Sequence, residues 1–128
     1  MTNTDATLGY GGAKKVDKLA RQYGKEFADE GIATSQLRRI YSEVKRAENQ
    51  YKHDEDFQRT QETLMLLKPK LAYEASRSEE MGVVHETVGN IIDRFGVGED
   101  PNLDLFFELM EAIVAYHAYY TDADGGDY

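Results

Sequence analysis

Thr34-Ser-Gln-Leu-Arg-Arg-Ile-Tyr-Ser-Glu-Val-Lys-Arg-Ala-Glu-Asn-Gln-Tyr51 is the stretch on which the fold turns. Its apolar residues Leu37, Ile40, Tyr41, Val44 and Tyr51 recur at steps of three, four and seven. At 100° per residue those steps gather on one side of an α-helix. Gly31 stands before it as a stop for a preceding helix, and Thr34 or Ser35 offers a cap oxygen for this one.

The same period extends in both directions. Upstream, Val16, Leu19, Ala20, Tyr23 and Phe27 predict a helix over 13–30. Downstream, Phe57, Gln61, Leu64 and Leu67 predict one over 54–68. Pro69 should kink or end it, because proline has no N–H and clashes with the preceding turn. A short helix over 69–77 follows. Val84, Val88, Ile91 and Ile92 mark another over 81–95, stopped by Gly96-Val97-Gly98. Whether the last two join across 78–80 stays open. Asp100 as cap and Pro101 in the first turn open a final helix reaching about Tyr120. No convincing two-residue alternation appears between these segments. The expectation is an all-α protein, a small bundle of about five to six helices over 13–121, with flexible ends at 1–12 and 122–128.

In the final helix, Leu105, Phe106, Leu109, Met110, Ile113 and His117 belong to an apolar arc wider than the usual stripe of about 100°. Such a helix either lies at the centre of the bundle or turns a second face to a partner.

The chain has 128 residues, 41% apolar and 30% charged, which suits one globular domain with its own core. No apolar run approaches the roughly 18 residues of a membrane span. The first residues lack a secretory signal pattern. Cysteine is absent, which removes disulfides, thiol nucleophiles and thiolate metal sites. A cytoplasmic protein is expected. Net charge is −9, yet fourteen of the fifteen Lys and Arg fall within residues 1–77, and residues 78–128 carry −11. The distribution gives a polarised molecule with one region able to meet an anion.

Catalytic constellations are missing. His53, His85 and His117 lie in separate segments, and no Glu-x-x-His pair of the di-metal carboxylate type occurs. Asp122-Ala-Asp124-Gly starts like a calcium loop but lacks the closing bidentate Glu. Gly9-Tyr-Gly-Gly12 has neither the preceding strand nor the Gly-Lys-Ser/Thr ending of a phosphate loop. His117, inside the apolar arc, reads as a satisfied core histidine. No enzyme, metal or cofactor is expected.

Two basic constellations remain. In 34–52, Arg38, Lys45 and Lys52 form a line beside the apolar face, about 10 Å apart along the axis. Arg39 and Arg46 point nearly away from the core. A row of cations on a rigid helix suits a phosphate chain, where each contact releases counterions. The plainer reading is a solvated face with local pairs such as Glu48–Lys52. In 68–77, Lys70, Tyr73, Glu74 and Arg77 share a face, and Lys68 and Lys70 lie at the start of the short helix, where free N–H groups favour an anion. A tyrosine between cations can stack a base while they hold the flanking phosphates. Its plainer reading is a packed rim tyrosine.

Thr34-Ser-Gln-Leu-Arg-Arg-Ile-Tyr-Ser-Glu-Val-Lys-Arg46, then Leu66-Leu-Lys-Pro-Lys-Leu-Ala-Tyr73 with Arg77, and Phe106-Phe-Glu-Leu-Met-Glu-Ala-Ile-Val-Ala-Tyr-His117 stand in one order. Together they resemble the small subunit of type III-A CRISPR effector complexes (the Csm complex). The resemblance implies a non-catalytic helical bundle, present in several copies stacked as a filament. Its partners would be guide and target RNA, the repeated backbone subunit and the large polymerase-like subunit. Arg38, Arg39, Lys45, Arg46, Lys68, Lys70, Tyr73 and Arg77 are the RNA-contacting residues it implies. The family has Gly before the closing Arg, where this chain has Ser76. The alternative is a protein-interaction module whose apolar last helix docks a partner without direct RNA contact.

Overall fold

A computed structural model describes residues 8–125. Helix α1 spans Gly9–Asp29, α2 Thr34–Asp54, α3 Phe57–Arg77, α4 Met81–Ile91 and α5 Leu103–Gly125, with a π-helical turn at Ile92–Gly96. Among the described residues there is no strand, and the expected small all-α bundle is what the chain forms. Residues 1–7 and 126–128, parts of the two expected flexible ends, lie outside the described residues.

The helices exist where the apolar spacing places them, but several ends differ. Helix α1 opens at Gly9, ahead of the first core residue, and buries Val16, Ala20, Gly24 and Phe27 at steps of four and three. Ala33, not Thr34 or Ser35, is the cap position of α2. Its backbone N–H donates to Gln36 Oε1 at 2.8 Å, so the side chain three residues on supplies the acceptor. Asp56 caps α3 by accepting from the Arg59 N–H at 3.0 Å, which moves its start beyond Asp54.

Pro69 does not end a helix. Helix α3 runs through it, because Leu64, Leu67 and Leu71 stay buried on one face across the proline. Packing of that face against α2 and α4 offsets the lost hydrogen bond and the ring clash, about 3 kcal/mol in a helix interior. Ser78 is extended, so α3 and α4 do not join. Asn102 replaces Asp100 as the cap of the last helix. Its N–H donates to the Phe95 carbonyl at 2.7 Å, and its Oδ1 accepts from the Leu105 N–H at 3.1 Å. That pin holds Asp100 and Pro101 in the loop before α5.

Helix α5 is central. Phe106, Leu109, Met110 and Ile113 are fully buried, each contributing about 1.5–3 kcal/mol through burial. It packs against α1, α2 and the π turn, while α3 packs against α2 and α4. The apolar arc from Phe106 to Ile113 is thus spent on the core, while Tyr119 near the end of the helix stays exposed. His117, 1% exposed, donates from Nε2 to the Ile32 carbonyl at 2.8 Å and is the satisfied core histidine expected. Where α1 crosses α5, a Cβ on Gly24 would stand 2.7 Å from Tyr116 Cβ and 2.8 Å from the His117 N. The helices touch there because glycine lets them.

Candidate nucleic-acid interface

Helices α2 and α3 pack side by side and leave a groove of about 530 Å³ between them. Ile40 and Pro69 line it with Arg39, Ser42 and Glu43 from α2 and with Lys70, Tyr73 and Glu74 from α3. Residues some thirty positions apart in sequence meet here because Leu37, Ile40 and Val44 bury one face of α2, and Leu64, Leu67 and Leu71 one face of α3.

Two carboxylates organise the groove's cations. Arg39 donates to Glu74 at 3.0 Å, joining the helices across the groove. Glu43 accepts from Lys70 at 3.0 Å and from Arg46 at 3.3 Å. Tyr73 is 60% exposed, and the Arg77 guanidinium lies 5.7 Å from its ring centre. At that exposure the ring offers a stacking surface beside a cation. Exposed ion pairs of this kind contribute about 0–1 kcal/mol and rearrange at little cost.

The other candidate cations lie elsewhere. Lys68 turns to the π turn, where Nζ donates to both Asp93 oxygens at 2.8 and 2.9 Å, tying α3 to Ile92–Gly96. Lys45 and Lys52 both pair with Glu48, at 3.3 and 3.2 Å. Arg38 is exposed and makes no ion pair among the described residues. Of the expected residues, Arg39, Lys70 and Tyr73 line the groove, Arg46 and Arg77 flank it through Glu43 and Tyr73, and Arg38, Lys45 and Lys68 do not line it.

A second charged surface escaped the reading of the sequence. Lys14, Lys18, Arg21 and Lys25 follow steps of four, three and four along α1, outside the buried Val16–Phe27 face and bordering α5. That spacing was the available signal. With Tyr120 of α5 they line a groove of about 590 Å³. Asp17 accepts from Arg21 at 3.0 Å and from the Tyr116 hydroxyl, which together hold its carboxyl below the usual range. The same bond to Asp17 raises the Tyr116 phenol. On the α2 side, burial first and then Glu111, Glu48 and Glu108 push the Tyr41 phenol up.

Among the described residues no group of three or more His, Cys, Asp or Glu is placed to hold a metal ion. None of the described helices is long and apolar enough to cross a membrane. Fold and grooves define a small all-α bundle with charged surface grooves between its helices. The chain belongs to the Csm2 Type III-A family, whose model matches residues 11–123, and so to the small subunits of the type III-A CRISPR Csm complex. Comparison with curated proteins and with solved structures gave no match.

Proposed function

We propose that this subunit holds guide and target RNA in the α2–α3 groove of a cytoplasmic type III-A complex, without sequence specificity and without chemistry of its own. Arg39, Arg46, Lys70 and Arg77 position phosphates, and Tyr73 stacks on a base or packs on a ribose. Several copies stack as a filament beside the backbone subunit and near the large subunit, each adding a few weak contacts that become tight together. The observation that carries this reading is the convergence of cations from two helices around one exposed tyrosine.

The test is RNA retention by an Arg39→Ala, Lys70→Ala variant. Both side chains are solvent-facing, so helicity and melting temperature should stay near wild type. Retention should fall about tenfold, and the log–log salt slope should become shallower by about two. Wild-type retention in that variant overturns the assignment.

A protein-docking reading keeps one specific observation, now on α3 and not on α5. Phe57, Met65 and Leu66 are exposed, and the last two line a groove with Val97 and Gly98. Family membership implies contact with other Csm subunits, and this apolar face suits one. Met65→Ser with Leu66→Ser should reduce co-purification with those subunits while leaving the RNA affinity of the isolated protein unchanged.

A further inference from the structure

Three cations of α1 differ from Arg39, Arg46 and Lys70 of the α2–α3 groove in one respect. Lys14, Lys15 and Lys18 are exposed and make no ion pair among the described residues. In the α2–α3 groove, Arg39, Arg46 and Lys70 are each paired to a carboxylate. On α1 only Arg21 and Lys25 are paired, to Asp17 and Asp29.

Aromatic rings border this stripe. Arg21 lies 5.2 Å from the Tyr116 ring centre and Lys25 lies 5.5 Å from that of Tyr120. Tyr116 and Tyr120 stack at 6.2 Å, and Tyr119 meets Tyr120 edge-on at 5.1 Å. Tyr119 is 63% exposed. From Lys14 to Lys25 the stripe extends about 16 Å along the helix. A row of cations with an accessible aromatic platform at one end is the arrangement that tracks a flexible polyanion whose bases can stack. An acidic protein surface would use the cations but leave the tyrosines without a role.

We infer that the α1–α5 face is a second tract for single-stranded nucleic acid, separate from the α2–α3 groove. Lys14, Lys18 and Lys25 meet phosphates, and Tyr119 and Tyr120 stack on bases. Helix α1 packs on α5 and, lightly, on α4, and has no packing contact of that extent with α2 or α3. The two tracts thus sit on different sides of the bundle, and one subunit can touch two strands or two parts of one strand. Phosphates and base faces are common to RNA and DNA, so both should be taken.

Fluorescence anisotropy of labelled oligouridine and oligothymidine, run from low to physiological salt, tests this on the full chain. Lys14→Ala with Lys18→Ala removes two exposed charges that make no ion pair among the described residues, and should weaken binding at low salt about fivefold or more. The salt slope should drop by about two. Tyr119→Ala should weaken binding, and Tyr119→Phe should restore it. Combined with Arg39→Ala and Lys70→Ala, the losses should multiply, since the tracts share no residue. Loss from the groove variant alone leaves the proposed function standing and overturns the α1 tract; loss from the α1 variant alone does the reverse. Absence of any binding at low salt, preference for one sugar beyond about tenfold, or tighter binding of labelled polyglutamate than of oligouridine also overturns the tract.

Discussion

Gly24 is the residue on which the α1–α5 contact depends. An added methyl meets Tyr116 Cβ and the His117 backbone, neither of which can swing aside. Gly24→Ala should therefore cost about 1–3 kcal/mol and lower the melting temperature, despite alanine's better helix propensity. A melting temperature at or above wild type would show that α1 simply rides outward. Nearby, the Tyr116 hydroxyl and Arg21 hold the Asp17 carboxyl low, so its folded pKa lies below its unfolded one, about 3.9. That contribution is present above the unfolded value and lost as pH falls through the folded one. The wild-type melting temperature should drop below about pH 4, and Tyr116→Phe should flatten that drop. A glycine on an apolar helix face is visible in the sequence. That Tyr116 is what it admits is not, because the partner lies some ninety residues away.

Helices were more legible than their ends. Apolar spacing located α1 to α5 because burial of one face is a property of each segment. Pro69 was misleading because its cost is local, whereas the burial of Leu64, Leu67 and Leu71 that outweighs it belongs to the assembled bundle. Pro69→Ala should accordingly stabilise the protein, by up to about 3 kcal/mol, with Pro69 itself exposed and little packing lost. Destabilisation in a thermal melt would mean that the proline ring supports the α2–α3 groove. The start of α5 was misplaced for a related reason, since Asn102 becomes the cap only once its N–H is pinned to Phe95. Asn102→Ala should lower stability by about 1 kcal/mol and Asp100→Ala by little, as read from the two denaturation midpoints.

For the whole molecule, the charge pattern in the sequence announced polarity but not its layout. Linear counting put basic residues in the first 77 positions; folding divides them between α1 and the α2–α3 groove and sets α5 between. Of the eight residues expected to meet RNA, three line the groove, two flank it and three lie elsewhere. Helical position alone cannot distinguish Lys70, which reaches Glu43, from Lys68, which reaches Asp93. Glu43 also makes the groove a place of exchange. On the proposed reading, a phosphate arriving at Lys70 or Arg46 would displace a carboxylate already seated there, trading one ion pair for another of similar strength. Each such trade would yield little on its own, so occupancy would depend on how many copies are lined up to make it at once. With Glu43→Gln the seat is vacated in advance, and one isolated subunit should hold RNA up to about fivefold more tightly than the natural protein does.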